Sequence, residues 1–123
     1  MLTNAPAAAV LPVSDMERAV EFYTQTLGLK PKGSMEGGVM LEAGMGTMVF
    51  IYVRPGVKVE HTQLGFSVDD LEAEVAELRG KGVEFEDYDM PGLTTEDGIS
   101  TMGNSKSAWF KDPDGNIIAV NQM

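Results

Sequence analysis

The sequence contains no cysteine, one histidine (His61) and one tryptophan (Trp109) among its 123 residues. Without cysteine the chain has no disulfide bond, no thiolate ligand for zinc and no cysteine nucleophile. Chemistry that depends on a thiol is therefore excluded. The absence of cysteine is also typical of a cytoplasmic protein.

Long apolar runs are also missing. No segment approaches the roughly 18 consecutive apolar residues that a membrane-spanning helix needs. The first residues carry no basic region, and Pro12 and Asp15 interrupt the apolar stretch that follows. We therefore expect no signal peptide, no membrane partner and a cytoplasmic location.

Positive charge is scarce. The chain has 9 basic and 19 acidic residues, so its net charge is 9 − 19 = −10, and its isoelectric point is about 4.3. Such a protein repels nucleic-acid phosphates and anionic lipid, so we expect neither as a partner. The same charge favours cationic or neutral small molecules, or serves only to keep the protein soluble.

Two segments have helical periodicity, and the length of the chain corresponds to a single domain. The first segment runs from Asp15 to Leu27, with Ser14 or Asp15 as its cap and Gly28 after its end. The second runs from Asp70 to Lys81, with Asp69 or Asp70 as its cap and Gly80 or Gly82 as its stop.

A strand that alternates with period two precedes each helix, around residues 8–13 and 61–68. Ala9, Leu11 and Val13 are expected beneath the first helix, and Leu64, Phe66 and Val68 beneath the second. A shift of 55 residues superposes Val13-Ser14-Asp15 on Val68-Asp69-Asp70. The domain is therefore predicted to consist of two similar modules, at about residues 5–56 and 57–123.

Three further strands are predicted in each module. They span residues 29–35, 39–42 and 48–54 in the first module, and 83–90, 107–111 and 116–121 in the second. Asp112-Pro113-Asp114-Gly115 is a strong turn signal between the last two. Residues 91–105 are predicted as a long loop, serving as a pocket lid or ordered only by a dimer partner.

The segments His61–Asp70 and Phe110–Asn116, together with Val13–Ala19 and Phe22–Leu29, resemble the vicinal oxygen chelate superfamily. This is the glyoxalase, bleomycin-resistance and extradiol-dioxygenase group. The resemblance implies an α+β fold of two βαβββ modules that form a curved, barrel-like mixed sheet around a cavity. It also implies a homodimer.

Metal-dependent members of this superfamily hold the ion with histidine and glutamate at four matched strand positions. The resemblance places these positions at Ala8, at Phe50 or Tyr52, at Gln63 and at Ala119. None of these residues is histidine, aspartate or glutamate, and neutral amides are poor replacements. We therefore expect no divalent metal and no other cofactor.

Candidate ligand-binding residues are those predicted on the faces away from the helices. Met48, Phe50, Tyr52 and Arg54 alternate with β-branched residues and form either an apolar, aromatic pocket wall or ordinary core and dimer contacts. On a regular strand His61 and Gln63 share such a face; the alternative for His61 is a solvent-exposed residue at the strand start. Either Trp109 or Phe110 faces the cavity, but not both. The candidate ligand-binding residues are therefore Met48, Phe50, Tyr52, Arg54, His61, Gln63 and Trp109.

Three functions remain open from the sequence. The first is a protein that binds a hydrophobic or cationic small molecule in an apolar, aromatic cavity. The second is a glyoxalase-type lyase, isomerase or dioxygenase, which either needs a metal or uses His61 or Tyr52 as the acid or base. The third is an accessory domain that acts through a protein partner. The acidic residues Glu42, Asp87 and Asp89 are expected to be exposed rather than catalytic.

Overall fold

The computed structural model describes residues 1–122 and separates the chain into two compact units, Met1–Val57 and the part from Lys58 onward. We call them module 1 and module 2. The fold is α+β, as predicted, and each module contains one four-stranded mixed sheet and one main helix. Neither helix in the described residues is long and apolar enough to cross a membrane.

Module 1 follows the order strand, helix and three strands. Its sheet has the strand order β1-β4-β3-β2, with β1 and β4 parallel and the other neighbours antiparallel. The elements are β1 (Ala8–Val13), α1 (Met16–Glu21), a π-helical turn (Phe22–Thr26), β2 (Lys30–Met35), β3 (Gly38–Glu42) and β4 (Met48–Val53), with short 3₁₀ turns at Leu2–Asn4 and Gly44–Gly46.

Module 2 repeats this order with an insertion. Its sheet has the order β5-β10-β9-β8, which matches module 1 strand for strand, and a two-stranded ladder is added between the helix and β8. The elements are β5 (Thr62–Ser67), α2 (Leu71–Gly80), β6 (Asp89–Met90), β7 (Leu93–Thr94), β8 (Ile99–Met102), β9 (Ser105–Lys111) and β10 (Ile117–Gln122).

Both helices begin where the sequence predicts. The Asp15 carboxylate accepts a hydrogen bond from the Arg18 N–H, and the Asp70 carboxylate accepts one from the Ala73 N–H, so both aspartates are N-caps. The helix that is predicted to end at Leu27 changes after Glu21 to a π-helical turn. Gly28 follows it with a φ of +81°, a conformation that favours glycine.

The core of each module lies between its helix and one face of its sheet. In module 1, α1 packs against β4, and Val49 and Ile51 are buried there with Leu11 and Tyr23. In module 2, α2 packs against β9 and β10. The fully buried residues there include Leu71, Val75, Ala108, Phe110, Ile118 and Val120. Of the three residues predicted beneath the first helix, Leu11 and Val13 are almost completely buried, whereas Ala9 is half-buried. The three predicted beneath the second helix are half-buried: Leu64, Phe66 and Val68.

Two predictions for module 2 are wrong. Residues 83–90 were expected to form a strand, but the structure has there only an isolated bridge from Phe85 to Phe110 and the two residues of β6. Residues 91–105 were expected to be a loop, but they contain β7 and β8, and β8 is the fourth strand of the sheet. The strand next to β9 is therefore built from residues with little apolar alternation.

Gly38 is buried because the Phe50 ring occupies the space that a side chain at position 38 would fill. A Cβ atom at this position would collide with the Phe50 ring and the Ile51 carbonyl oxygen. The Phe50 ring therefore leans across β3 onto the bare backbone of Gly38. Gly33, on the neighbouring strand β2, has open space where a Cβ would lie.

Replacing Gly38 by alanine is expected to lower the free energy of unfolding by about 2 kcal/mol, because the added methyl group must displace an aromatic ring or a strand backbone. Urea denaturation followed by circular dichroism measures this change. Gly33→Ala is the matched control and should change the stability by less than about 0.5 kcal/mol. Equal effects of the two substitutions would contradict the close contact between Phe50 and Gly38.

Candidate functional site

Each sheet has one face under its helix and a second face that its helix does not cover. In module 1 this second face carries Met48, Phe50 and Tyr52 from β4, all of them partly exposed, while Val49 and Ile51 between them are buried. Side chains of directly paired residues lie on the same face of a sheet. The pairing of Phe50 with Val10 and with Met40 therefore adds two more apolar residues. We call Val10, Met40, Met48, Phe50 and Tyr52 the apolar face.

The apolar face presents two aromatic rings and two thioethers to solvent. Val10 is 56% exposed, although it lies in the middle of β1. Exposed apolar side chains that adjoin one another mark a binding surface more often than isolated ones do. Val10 alternates with Ala9 and Leu11, which are predicted beneath the helix, so its position on the other face follows from the sequence. Met40 was not among the predicted site residues. The alternation of Val39, Met40 and Leu41 is the signal that could have identified it.

Arg54 lies beyond the end of β4, so it is not part of this face. Its backbone N–H donates to the Val13 carbonyl oxygen at 2.8 Å, and the residue is exposed. Of the four residues predicted on this strand, the structure thus brings Met48, Phe50 and Tyr52 together. Arg54 sits at the exposed end of the row.

In module 2 the register of the strands determines which aromatic residue faces away from α2. Ala119 pairs with Trp109 on one side and with Gly65 on the other, so these three residues share a face. Phe110 is buried on the opposite face, with 1% of its surface exposed. Trp109, rather than Phe110, is therefore the aromatic residue on the face away from the helix.

Trp109 does not stand alone, because Tyr88 meets it edge to face. The two ring centroids are 5.5 Å apart and the ring planes are inclined by 74°. Such a geometry is favourable because the positive edge of one ring meets the negative face of the other. Tyr88 lies between Asp87 and Asp89 in the sequence, and nothing in this local pattern indicates the contact with Trp109.

A network of side-chain hydrogen bonds holds Tyr88 in place. The Thr95 hydroxyl accepts from the Tyr88 N–H at 2.9 Å, and the Thr95 N–H donates to the Tyr88 carbonyl oxygen at 2.9 Å. The Asp87 carboxylate accepts from the Thr95 hydroxyl and from the Gly98 N–H. Asp87 therefore orders the segment around Tyr88, and this is the role the structure gives to one of the exposed acidic residues.

A second anchor joins this segment to helix α2. The Arg79 guanidinium donates to the Asp97 carbonyl oxygen at 2.7 Å, and its carbon lies 5.5 Å from the centre of the Phe85 ring. Asp97 has a φ of +54°, a conformation that few residues other than glycine adopt. These contacts hold the segment between α2 and β8 in place at Tyr88 and at Asp97. We therefore interpret it as an ordered part of module 2 rather than as a mobile lid.

His61 and Gln63 occupy less regular positions than expected. His61 precedes β5 and is exposed, and its Nδ1 lies 3.2 Å from the Thr62 carbonyl oxygen. Gln63 is half-buried in a β-bulge, since Thr62 pairs with Ile117 and Leu64 with Ile118. A bulge disturbs the alternation of side chains, so His61 and Gln63 do not form the regular row that the sequence suggests.

The residues at the superfamily's four ligand positions do not fit a divalent metal. Ala8 is paired with Met48 on the neighbouring strand. Phe50 and Tyr52 lie in an apolar row, and Ala119 lies between Gly65 and Trp109. None of these side chains is an anion or an imidazole, the donors that such an ion requires. Within residues 1–122, moreover, no three histidine, cysteine, aspartate or glutamate side chains gather closely enough to hold an ion.

Module 1 also contains a separate cavity of about 400 Å³ at the end of its sheet. Its walls are the backbone around Gly28 and the turn from Ala43 to Gly46, with Lys30 and Glu42 beside them. The predicted site residues contribute nothing to this cavity. It is therefore distinct from the apolar face.

Comparison with known proteins identifies the family. A model of the glyoxalase/bleomycin resistance protein/dioxygenase superfamily matches residues 6–120. The chain belongs to this superfamily. The resemblance noted in the sequence is therefore confirmed, together with the α+β fold of two βαβββ modules. A comparison with curated proteins gave no match.

Several solved structures are similar to this chain. TnmS3, described as an antibiotic-binding protein from Streptomyces sp. CB03234, has 26% sequence identity and a TM-score of 0.77, and the match covers 99% of this chain and 98% of that one. A glyoxalase/bleomycin resistance protein from the same source has 26% identity and a TM-score of 0.66 over 94% and 100% of the two chains. A superfamily member from Sphaerobacter thermophilus, at 22% identity and a TM-score of 0.77 over 100% of both chains, shares the fold.

The contact of Tyr88 with Trp109 predicts an alkaline transition in fluorescence. Burial raises the pKa of Tyr88, Glu86 raises it further, and Lys111 partly opposes both. Tyrosinate quenches a nearby tryptophan, so the emission of Trp109 should fall as the pH rises above the ordinary tyrosine value of 10.0. Because the folded state favours the neutral phenol, the contribution of Tyr88 to stability is fully present below pH 10 and is lost above it.

Tyr88→Phe is the matched control, since it keeps the ring and removes the ionisation. The part of the transition that is due to Tyr88 should disappear in this variant, while the emission at pH 7 changes little. An unchanged alkaline transition in Tyr88→Phe would show that Tyr88 does not act on Trp109.

Proposed function

We propose that this protein binds a small aromatic molecule, neutral or cationic, and releases it chemically unchanged and without a divalent metal. The observation that carries this proposal is the apolar face, in which Met48, Phe50 and Tyr52 are only partly buried. Covering apolar surface contributes roughly 25 cal/mol for each Å² removed from water. Two aromatic rings with thioethers beside them suit a flat apolar ligand.

The overall charge favours a neutral or cationic ligand over an anionic one. The net charge of the whole chain is −10. A strongly negative protein attracts cations and repels anions before any contact is made. An anionic ligand should therefore bind more weakly than a neutral or cationic ligand of the same size.

The similarity to TnmS3 supports binding rather than catalysis. That structure is described as an antibiotic-binding protein, and it covers nearly the whole of this chain at 26% identity. The enzymatic alternatives, a lyase, isomerase or dioxygenase, need either a metal or a positioned acid or base. The ligand positions do not fit a metal, and His61 is exposed outside the strand. These observations favour a binding protein.

Three probes of equal ring size test this function. 2-Naphthol is neutral, N-methylquinolinium is cationic and naphthalene-2-sulfonate is anionic, and isothermal titration calorimetry measures their affinities. We expect the neutral and cationic probes to bind and the anion to bind at least tenfold more weakly at low salt. Phe50→Ala should weaken the binding of 2-naphthol by about tenfold, because it removes one ring of the apolar face.

Val53→Ala is the matched control for Phe50→Ala. Val53 lies on the same strand and is 51% exposed, but it belongs to the opposite row. This substitution should leave the affinity unchanged. Failure of all three probes to bind, or equal losses in the two variants, would reject the apolar face as the binding surface.

We also propose that the protein forms a homodimer, as the resemblance to small superfamily members implies. Light scattering coupled to size exclusion should then give twice the chain mass of 13.3 kDa at micromolar concentration. A mass of one chain throughout the concentration range would reject this part of the proposal and leave the binding of small molecules untouched.

A further inference from the structure

Two aromatic rings of module 2, those of Tyr88 and Trp109, meet at an open corner. Their centroids are 5.5 Å apart and their planes are inclined by 74°. Rings that meet at nearly a right angle enclose a corner beside their contact, and a cation placed there lies against the electron-rich faces of both. Both side chains are partly exposed, so a molecule in solution can reach this corner.

Strand pairing places a carboxylate on the same face as Trp109. The Glu86 N–H donates to the Trp109 carbonyl oxygen at 2.8 Å, so these two residues lie opposite one another. The preceding residue, Phe85, forms an antiparallel bridge with the buried Phe110, and their ring centroids are 5.5 Å apart. Phe85 therefore points toward the core, and Glu86, the next residue, points to the other face of the sheet.

The charge of Glu86 acts on the Tyr88 ring. The pKa of Tyr88 is raised above its ordinary value first by burial and then by the negative charge of Glu86, whereas Lys111 lowers it. The carboxylate and the phenol are therefore close neighbours. This agrees with the position that the strand pairing gives to Glu86, beside the corner of the two rings.

A positive charge of the protein itself already occupies part of this position. The Lys111 Nζ atom lies 3.4 Å from the Glu86 Oε1 atom, and the two side chains are 49% and 31% exposed. Ion pairs that are exposed to this degree contribute little to stability, because both groups remain hydrated. A cation from solution can therefore replace Lys111 at Glu86 with little loss.

A quaternary ammonium group suits this combination of side chains better than other groups do. Its methyl groups donate no hydrogen bonds, so it needs no oxygen acceptor on every side, and aromatic faces attract it. Glu86 supplies the opposite charge and repels anions. A neutral group of the same shape gains neither the attraction of the rings nor that of the carboxylate.

We propose that Tyr88, Trp109 and Glu86 form a site in module 2 for the quaternary ammonium group of a small molecule. The two rings attract the cation through their faces, Glu86 balances its charge, and Lys111 competes with it for Glu86. No residue of the apolar face takes part. The site therefore goes beyond the proposed function and is tested independently of it.

Choline and 3,3-dimethyl-1-butanol provide the test, because they have the same shape and differ in charge. Trp109 is the only tryptophan, so the single indole N–H signal in a ¹H–¹⁵N NMR spectrum reports on the site. Choline chloride should shift this signal until it saturates, at a half-saturation concentration about tenfold lower than that of the alcohol. Sodium chloride at equal concentration corrects for ionic strength.

Three substitutions test the three parts of the site. Glu86→Gln removes the carboxylate charge and should weaken choline binding about fivefold. Tyr88→Leu removes one ring and should weaken it by about the same factor, while Tyr88→Phe keeps the ring and should restore most of the affinity. Lys111→Met removes the competing cation and should strengthen choline binding about threefold. A gain of this kind is not expected from a residue with only a structural role.

Glu77→Gln is the matched control for Glu86→Gln, because it changes the net charge by the same amount. Glu77 is exposed on α2, the helix that covers the other face of the sheet. This variant should bind choline with the half-saturation concentration of the wild-type protein. Far-ultraviolet circular dichroism checks that each variant folds, and Lys111→Met decides the question if Glu86→Gln does not fold.

The site would be overturned by a choline titration that matches the sodium chloride titration, or by equal half-saturation concentrations for choline and the alcohol. Equal losses in Glu86→Gln and Glu77→Gln would trace the binding to overall charge and reject the site as well, as would the absence of any gain in Lys111→Met. None of these results bears on the naphthalene and quinoline probes of the apolar face, so the two proposals can fail separately.

Discussion

The rest of this structure depends on the alternation of side chains along its strands. A strand places successive residues on opposite faces, so a helix that covers one face leaves the other for a different use. Along β4 this separates the buried Val49 and Ile51 from the partly exposed Phe50 and Tyr52. The same rule in β9 buries Ala108 and Phe110 and leaves Trp109 and Ser107 on the second face.

Duplication of this arrangement produced two surfaces of unlike chemistry on one scaffold. The helix-covered faces are alike, since both contain aliphatic residues that contact a helix. The uncovered faces have diverged, with methionine and aromatic residues in module 1 and serine and asparagine in module 2. Divergence is easier on the uncovered faces, because a substitution there does not leave a cavity in the core.

Much of the fold could be predicted because its signals are local. Helix caps, alternating strands and the turn at Asp112–Gly115 all depend on neighbouring residues. They predicted the two modules and two cap candidates for each helix, of which the structure uses Asp15 and Asp70. The segment between α2 and β8 was mispredicted because its order comes from Asp87, Thr95 and Arg79. Their hydrogen bonds span 7 to 18 residues and leave no periodic pattern.

The candidate site was predictable only in part. The row of Met48, Phe50 and Tyr52 follows from alternation, but the side of β9 that Trp109 occupies follows from its pairing with β10, which no single strand encodes. The bulge at Gln63 shifts the register between β5 and β10. It could not be predicted from the sequence, because it also depends on how two strands pair. The contact of Tyr88 with Trp109 likewise joins residues that are distant in sequence.

The contact between Phe50 and Gly38 has a consequence for the evolution of this branch of the superfamily. The aromatic ring occupies the volume of a side chain that position 38 lacks, so neither residue can change freely while the other stays the same. A larger residue at 38 becomes acceptable once position 50 is small. These two positions are therefore expected to co-vary among close homologues, with the aromatic ring present only where glycine faces it.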